Sequence, residues 1–170
     1  DTVYDGLVRL QRFGRLVTSG IDLALEEEGE QVKLFMGFDA QVEHPEPASR
    51  DYAVGIITRM CRLTLGDYLA PVKIELARPR PAEPERWEYL LASRVVFAAD
   101  TSCITWSKAD IMEPLVTGDP ALARINDEHT VAYLDSFLAR STTREVVDKI
   151  VEKLPDGAPS QQQIAAAQGP

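Results

Sequence analysis

The spacing of apolar residues changes period several times along the chain, and the order of those changes constrains the fold more than any other feature. Val3, Leu7, Leu10, Phe13, Leu16 and Val17 recur at three- and four-residue steps, which predicts an amphipathic helix over Thr2 to Val17, ending near Ser19-Gly20. Ile21 to Leu25 then alternates, Glu26 to Glu30 supplies a charged turn containing Gly29, and Val32, Leu34 and Met36 resume a two-residue period. That pattern predicts a β-hairpin. A proline-bearing stretch from Asp39 to Pro47 leads to Ser49-Arg50-Asp51, a polar start from which Tyr52, Ile56, Met60 and Leu63 step along a second helix ending at Gly66.

Pro71 to Ala77 alternates as a strand, the cluster Pro79, Pro81 and Pro84 breaks it, and Glu85 to Leu91, carrying Trp87 and Leu90, reads as a short helix. Val95 to Ala98 and Cys103 to Ser107 read as two more strands around a polar turn of hairpin length, Ala99 to Ser102. After Met112 the pattern is helical. One helix starts at Asp119-Pro120 and runs through Leu122, Ile125, His129, Ala132, Tyr133 and Phe137, and a second starts at Thr142-Thr143 and stops at Leu154-Pro155-Asp156-Gly157. Ser160 caps a last one through Ile164. The expected fold is α+β: a small mixed or antiparallel sheet of about five strands, two hairpins plus a single strand, packed with helices and followed by C-terminal helices.

A length of 170 residues with 45% hydrophobic content suits one domain with a proper core. No apolar run approaches the roughly 20 residues a bilayer span requires, and Asp1 to Asp5 carries neither an initiating Met nor a basic and apolar leader pattern. A cytoplasmic protein is expected, and both ends read as the boundaries of a fragment. The net charge of −9 argues against this chain holding a nucleic-acid backbone by itself. Cys61 and Cys103 lack CxxC or Cys/His spacing and read as two buried thiols.

Signals for chemistry are sparse. His44 and His129 are far apart and lack a third ligand or an acid at a useful spacing, so no metal or general-base site is expected. Glu26, Glu27, Glu28 and Glu30 do not intersperse turn residues as hard-cation loops do, and no G-x-S-x-G or G-x-G-x-x-G pattern is present. No catalytic residue and no cofactor follow. Trp87, Trp106 and Phe97, with Tyr89, are candidates to line an apolar ligand pocket, and the same residues fit an ordinary core. Arg59, Arg62 and Arg94 are candidates to pair a ligand carboxylate, and equally suit a solvated surface.

One ordered series of motifs goes further. "MCRLTLGDYLAPVKIELARPRPAEPERWEYLL" is followed by "RVVFAADTSCITWSKADIMEPLVTGDPALARI", with Leu65-Gly66, Pro71-Val72, Pro79-Xaa-Pro81, Val95-Val96-Phe97, Pro114-Leu115 and Asp119-Pro120 as landmarks. In order and approximate spacing the series resembles the arabinose-binding-like effector domain of one branch of AraC-type transcriptional regulators. "VVDKIVEKLPDGAPSQQQIAAAQGP" resembles that family's linker and the opening of its paired helix-turn-helix region. The resemblance implies an effector-binding regulatory domain over residues 1–140, then a linker helix and a truncated DNA-binding domain over 141–170. It implies a small-molecule effector, a homodimer, and promoter DNA held by a C-terminal domain outside this chain, so no DNA-binding residue is expected here. A structural dimerisation module without a ligand, using the helices after Pro114, is the alternative reading.

Overall fold

The computed structural model describes residues 1–14, 20–38 and 47–153. The elements are α1 (Val3–Phe13), β1 (Ile21–Glu28), β2 (Gln31–Phe38), α2 (Pro47–Leu65), β3 (Lys73–Leu76), α3 (Glu85–Leu91), β4 (Val95–Phe97), β5 (Ser102–Ser107), α4 (Lys108–Ile111) and α5 (Pro120–Lys153). They divide into two compact units, Asp1–Pro120 and Ala121–Pro170.

In the first unit a five-stranded mixed sheet has the order β1-β2-β5-β3-β4. The expected α+β class holds. The first hairpin forms as its alternation predicts, with Leu25 opposite Leu34 and Leu23 opposite Met36. Gly29 turns it at φ 57°, the first central position of a two-residue loop, where a positive φ favours glycine.

The expected second hairpin does not form. β4 runs parallel to β3, pairing Ile74 with Val95 and Leu76 with Phe97, whereas β5 lies antiparallel between β2 and β3. The physical reason lies at both ends of β4. α3 carries the chain back so that β4 restarts in the direction of β3, as a parallel pair requires. Beyond Phe97, Ala98 adopts φ 58°, and the amides of Ala98 and Ala99 donate to the carbonyls of Arg78 and Leu76. Residues 98–101 therefore cross the end of β3, and the segment that looked like a hairpin turn is a bridge over a strand.

The central strand β5 is buried on both faces from Ser102 to Trp106. One face carries Val32, Leu34, Met36, Ile74, Leu76, Ile104 and Trp106, which pack with Val3 and Leu7 of α1, with Val54, Ile57 and Cys61 of α2, and with Leu91 and Ile111. On the other face the register sets Phe35 and Glu75 beside Cys103, and Lys33 and Lys73 beside Thr105. Thr2 caps α1, accepting from the Asp5 amide while the Asp5 carboxylate accepts from the Thr2 amide. α4, absent from the sequence reading, is a single turn that follows directly on β5.

α2 departs from its sequence reading in orientation. Tyr52, Ile56, Met60 and Leu63, whose spacing signals the helix, lie on its exposed side; Ala53, Val54, Ile57, Thr58 and Cys61 face the core. In the second unit, the two helices read on either side of Thr142 are one continuous 34-residue helix, α5. The linker after Lys153, the last helix at Ser160, and His44 lie outside the described residues.

Candidate arginine–aromatic site

A proline-spaced segment follows β3: Ala77-Arg78-Pro79-Arg80-Pro81. Proline fixes φ and offers no amide for a ladder, so β3 ends at Leu76 and the chain bends at Ala77 and Arg78, with Arg80 two residues further on. This segment meets the start of α2, the side of α3 and the end of β4.

There the Arg78 guanidinium pairs with Asp51 of α2, and the Trp87 indole N–H donates to the same Asp51 oxygen, Oδ2, at 3.2 Å. The Arg78 guanidinium also lies 5.1 Å from the Trp87 ring centroid. Trp87 in turn meets Phe97 edge-on, with centroids 6.2 Å apart and planes at 81°. Arg80 covers the Phe97 ring at 5.9 Å. Each of these contacts has the geometry expected of an aromatic pair or of a cation over a ring face. The cluster is tied to the sheet by Arg50, whose Nη1 donates to the Ala77 carbonyl at 2.8 Å, and by the Ala77 amide, which donates to Ser102 Oγ at 3.1 Å.

The ion pair is mostly sheltered, each side chain being 18% exposed. Asp51 Oδ1 is enclosed and has no hydrogen-bond partner among the described residues. A carboxylate offers about four acceptor sites, so this one retains unused capacity toward a donor. A guanidinium lying on a ring keeps its in-plane N–H edge available for an oxyanion, the arrangement that suits arginine to carboxylate and phosphate.

Of the six residues singled out from sequence, the structure brings Trp87 and Phe97 into this cluster and leaves the other four outside it. Arg59 and Arg62 are at the far end of α2, both paired with Asp67 at 3.0 and 3.7 Å. Arg94 is exposed just before β4. Trp106 is fully buried in the core, with its indole N–H unpartnered among the described residues. Asp51, Arg78 and Arg80 were missed. The Arg-Pro-Arg-Pro alternation was the available signal for the arginines, whereas Asp51 joins the cluster only through tertiary packing.

Both cysteines are free and buried, and burial pushes the Cys61 thiol up to about 12, far from the range of a nucleophile. Among the described residues no group of histidine, cysteine or carboxylate side chains is arranged to hold a metal ion. None of the described helices is long and apolar enough to cross a membrane.

Fold and cluster together define a class: an α+β domain, helices on one face of a mixed sheet, with an arginine–aromatic seam at the ends of its two parallel strands. The chain belongs to the family described as the arabinose-binding domain of AraC transcription regulators, N-terminal, which matches residues 1–115. The resemblance carried by the motif series is thus borne out at family level, and the family is one of transcription regulators. Among solved structures, the crystal structure of the transcriptional regulator CdpR from Pseudomonas aeruginosa is similar over 71% of this chain and 48% of its own, at 17% identity and a TM-score of 0.47. The chain therefore spans about half the length of that relative. No curated protein matches it.

Proposed function

We propose that this chain is the effector-sensing part of an AraC-type regulator and that its arginine–aromatic seam reads a small organic anion. The family match over residues 1–115 carries the sensing role. The ligand class rests on Arg80, which stacks on Phe97 beside the Arg78–Trp87 pair in a chain whose net charge is −9. A local concentration of guanidinium groups against that background favours an anion, and Phe97 offers a surface to the ligand's apolar part.

The ligand's oxyanion pairs with Arg80 and with Arg78, whose Nε donates to the Pro79 carbonyl and whose Nη1 pairs with Asp51, so that ligand and Asp51 compete for the same guanidinium. Because Asp51 and Arg78 tie α2 to the exit of β3, the ligand favours one setting of that tie over the other, as a population shift requires. Residues 1–140 are the regulatory portion and 141–170 lead toward a DNA-binding domain outside this chain. A cytoplasmic location and a dimeric state belong to the same reading.

Thermal denaturation against carboxylates, with L-arabinose as the neutral comparison, tests the ligand class, since a ligand selective for the folded state raises the midpoint. Carboxylates are expected to raise it, and Arg80→Leu to abolish the rise. A rise with L-arabinose that persists in Arg80→Leu would place the ligand elsewhere. A purely structural dimerisation module is the second reading, favoured by the apolar outer side of α2, and predicts a flat response to every compound.

A further inference from the structure

We propose that the anion read at the seam is the carboxylate of a zwitterion, an α-amino acid with an apolar side chain, whose ammonium group takes the place beside Asp51 that Arg78 gives up. The inference rests on the anion-reading role proposed above and adds what the ligand carries besides its carboxylate. It starts from the two oxygens of Asp51, which are used unequally. Oδ2 accepts from Arg78 Nη1 and from the Trp87 indole, the latter at 3.2 Å. Oδ1 is enclosed and has no hydrogen-bond partner among the described residues. An ionised carboxylate only accepts, so a donor answers that oxygen and a second carboxylate cannot. An enclosed acceptor without a partner is unfavourable, and a ligand that brings the missing donor gains by it.

The exchange of partners sets the charge of that donor. The Asp51 and Arg78 side chains are each 18% exposed, so their charges answer one another in a sheltered place. A simple anion that draws Arg78 away leaves the Asp51 carboxylate sheltered and without its cation, and such an unpaired charge is costly. A neutral sugar offers donors to Asp51 and no anion to Arg78. An α-amino acid satisfies both residues. The Arg78–Asp51 pair becomes two pairs, Arg78 with the ligand's carboxylate and Asp51 with its ammonium, and no sheltered charge is stranded. The two ligand groups are carried on one carbon, a separation that lets them enter between an arginine and an aspartate in direct contact. An ammonium has three donors, enough to reach Oδ1 as well as Oδ2.

The surroundings supply the rest. Arg80 is exposed and adds a second guanidinium for the ligand's carboxylate. The Trp87 indole keeps its hold on Oδ2 and orients the Asp51 carboxylate while its partner changes. Arg50, through the Ala77 carbonyl, holds the start of α2 against the exit of β3, so the place of Asp51 does not depend on its pair with Arg78 alone. Phe97, half-buried and edge-on to Trp87, is the apolar surface beside the arginines and selects an apolar or aromatic side chain.

Calorimetric titration of the 170-residue chain with four compounds of one shape is the test: L-phenylalanine, 3-phenylpropionate without the ammonium, 3-phenyllactate with a hydroxyl in its place, and phenethylamine without the carboxylate. L-phenylalanine is expected to bind about ten-fold or more tighter than 3-phenylpropionate, 3-phenyllactate to fall between them, and phenethylamine not to bind. Asp51→Asn is expected to bring L-phenylalanine and 3-phenylpropionate to the same affinity. N-acetyl-L-phenylalanine, whose ammonium charge is gone, makes the same comparison on the wild-type chain and is expected to bind no better than 3-phenylpropionate. The proposal is overturned if 3-phenylpropionate or phenethylamine binds the wild-type chain as tightly as L-phenylalanine, or if the advantage of L-phenylalanine survives Asp51→Asn. Equal binding of L-phenylalanine and 3-phenylpropionate removes the zwitterion and leaves the anion reading standing, whereas a chain that binds no carboxylate overturns both, so the two failures are distinguishable.

Discussion

Asp51 near the start of α2 and Arg78 just beyond β3, 27 residues apart, form a sheltered ion pair whose carboxylate also accepts from the Trp87 indole. One aspartate therefore joins α2, the exit of β3 and α3. Its removal leaves a partly buried guanidinium without its anion and an indole N–H without its acceptor. Asp51→Ala is expected to destabilise the domain by about 2–3 kcal/mol in urea denaturation. Arg78→Met, which keeps the stacking volume over Trp87, should cost less than Asp51→Ala. The double variant should fall well short of the sum, because the two residues share one interaction.

Two glycines give opposite expectations from the same substitution. Gly66 ends α2 at φ 140°, and a Cβ there would lie 2.6 Å from the Tyr68 ring. Gly66→Ala is expected to destabilise by about 1–3 kcal/mol. Gly6 lies within α1 with open space around its Cβ position, so Gly6→Ala should stabilise by about 1 kcal/mol. Thermal midpoints moving down and up respectively are the readout.

Glu27 receives Lys108 Nζ on one oxygen and the Tyr4 hydroxyl on the other, the latter at 2.6 Å. The Lys108 hydrogen bond, then that of Tyr4, holds the Glu27 carboxyl below its ordinary 4.5. A carboxyl whose folded value is depressed contributes stability that is present above the ordinary value and lost as pH falls through the folded one. The pin between α1, β1 and α4 should therefore persist at neutral pH and loosen only below 4.5. A carbon-detected NMR titration checks this, with the Glu27 midpoint expected to rise toward the ordinary value in Lys108→Met.

Local patterning made most of this fold legible. The alternation of β1 and β2 around Gly29 specified a hairpin, and the proline cluster set the start of α3 at Glu85. What escaped was non-local. The direction of β4 depends on α3 and on the positive φ of Ala98, and neither leaves a signature that separates a bridge from a turn. α2 shows two apolar faces to a periodicity reading, and only packing against Ile74 and Trp106 decides which is inward. The missed residues of the seam follow the same rule: Asp51 reaches Arg78 because the start of α2 lies beside the exit of β3, a relationship that spacing along the chain does not encode.

The central claim is that a small anion binds at the Arg78–Arg80 seam, and the two tryptophans provide the most direct test. Trp87 lies in the seam, and Trp106 is fully buried in the core. In a nitrogen–proton correlation spectrum the two indole signals report each place separately. Titration with benzoate, or with the strongest carboxylate from the melting panel, is expected to move the Trp87 signal in a saturable way while the Trp106 signal stays fixed. A Trp87 signal that does not move with a carboxylate that raises the melting midpoint would contradict the account.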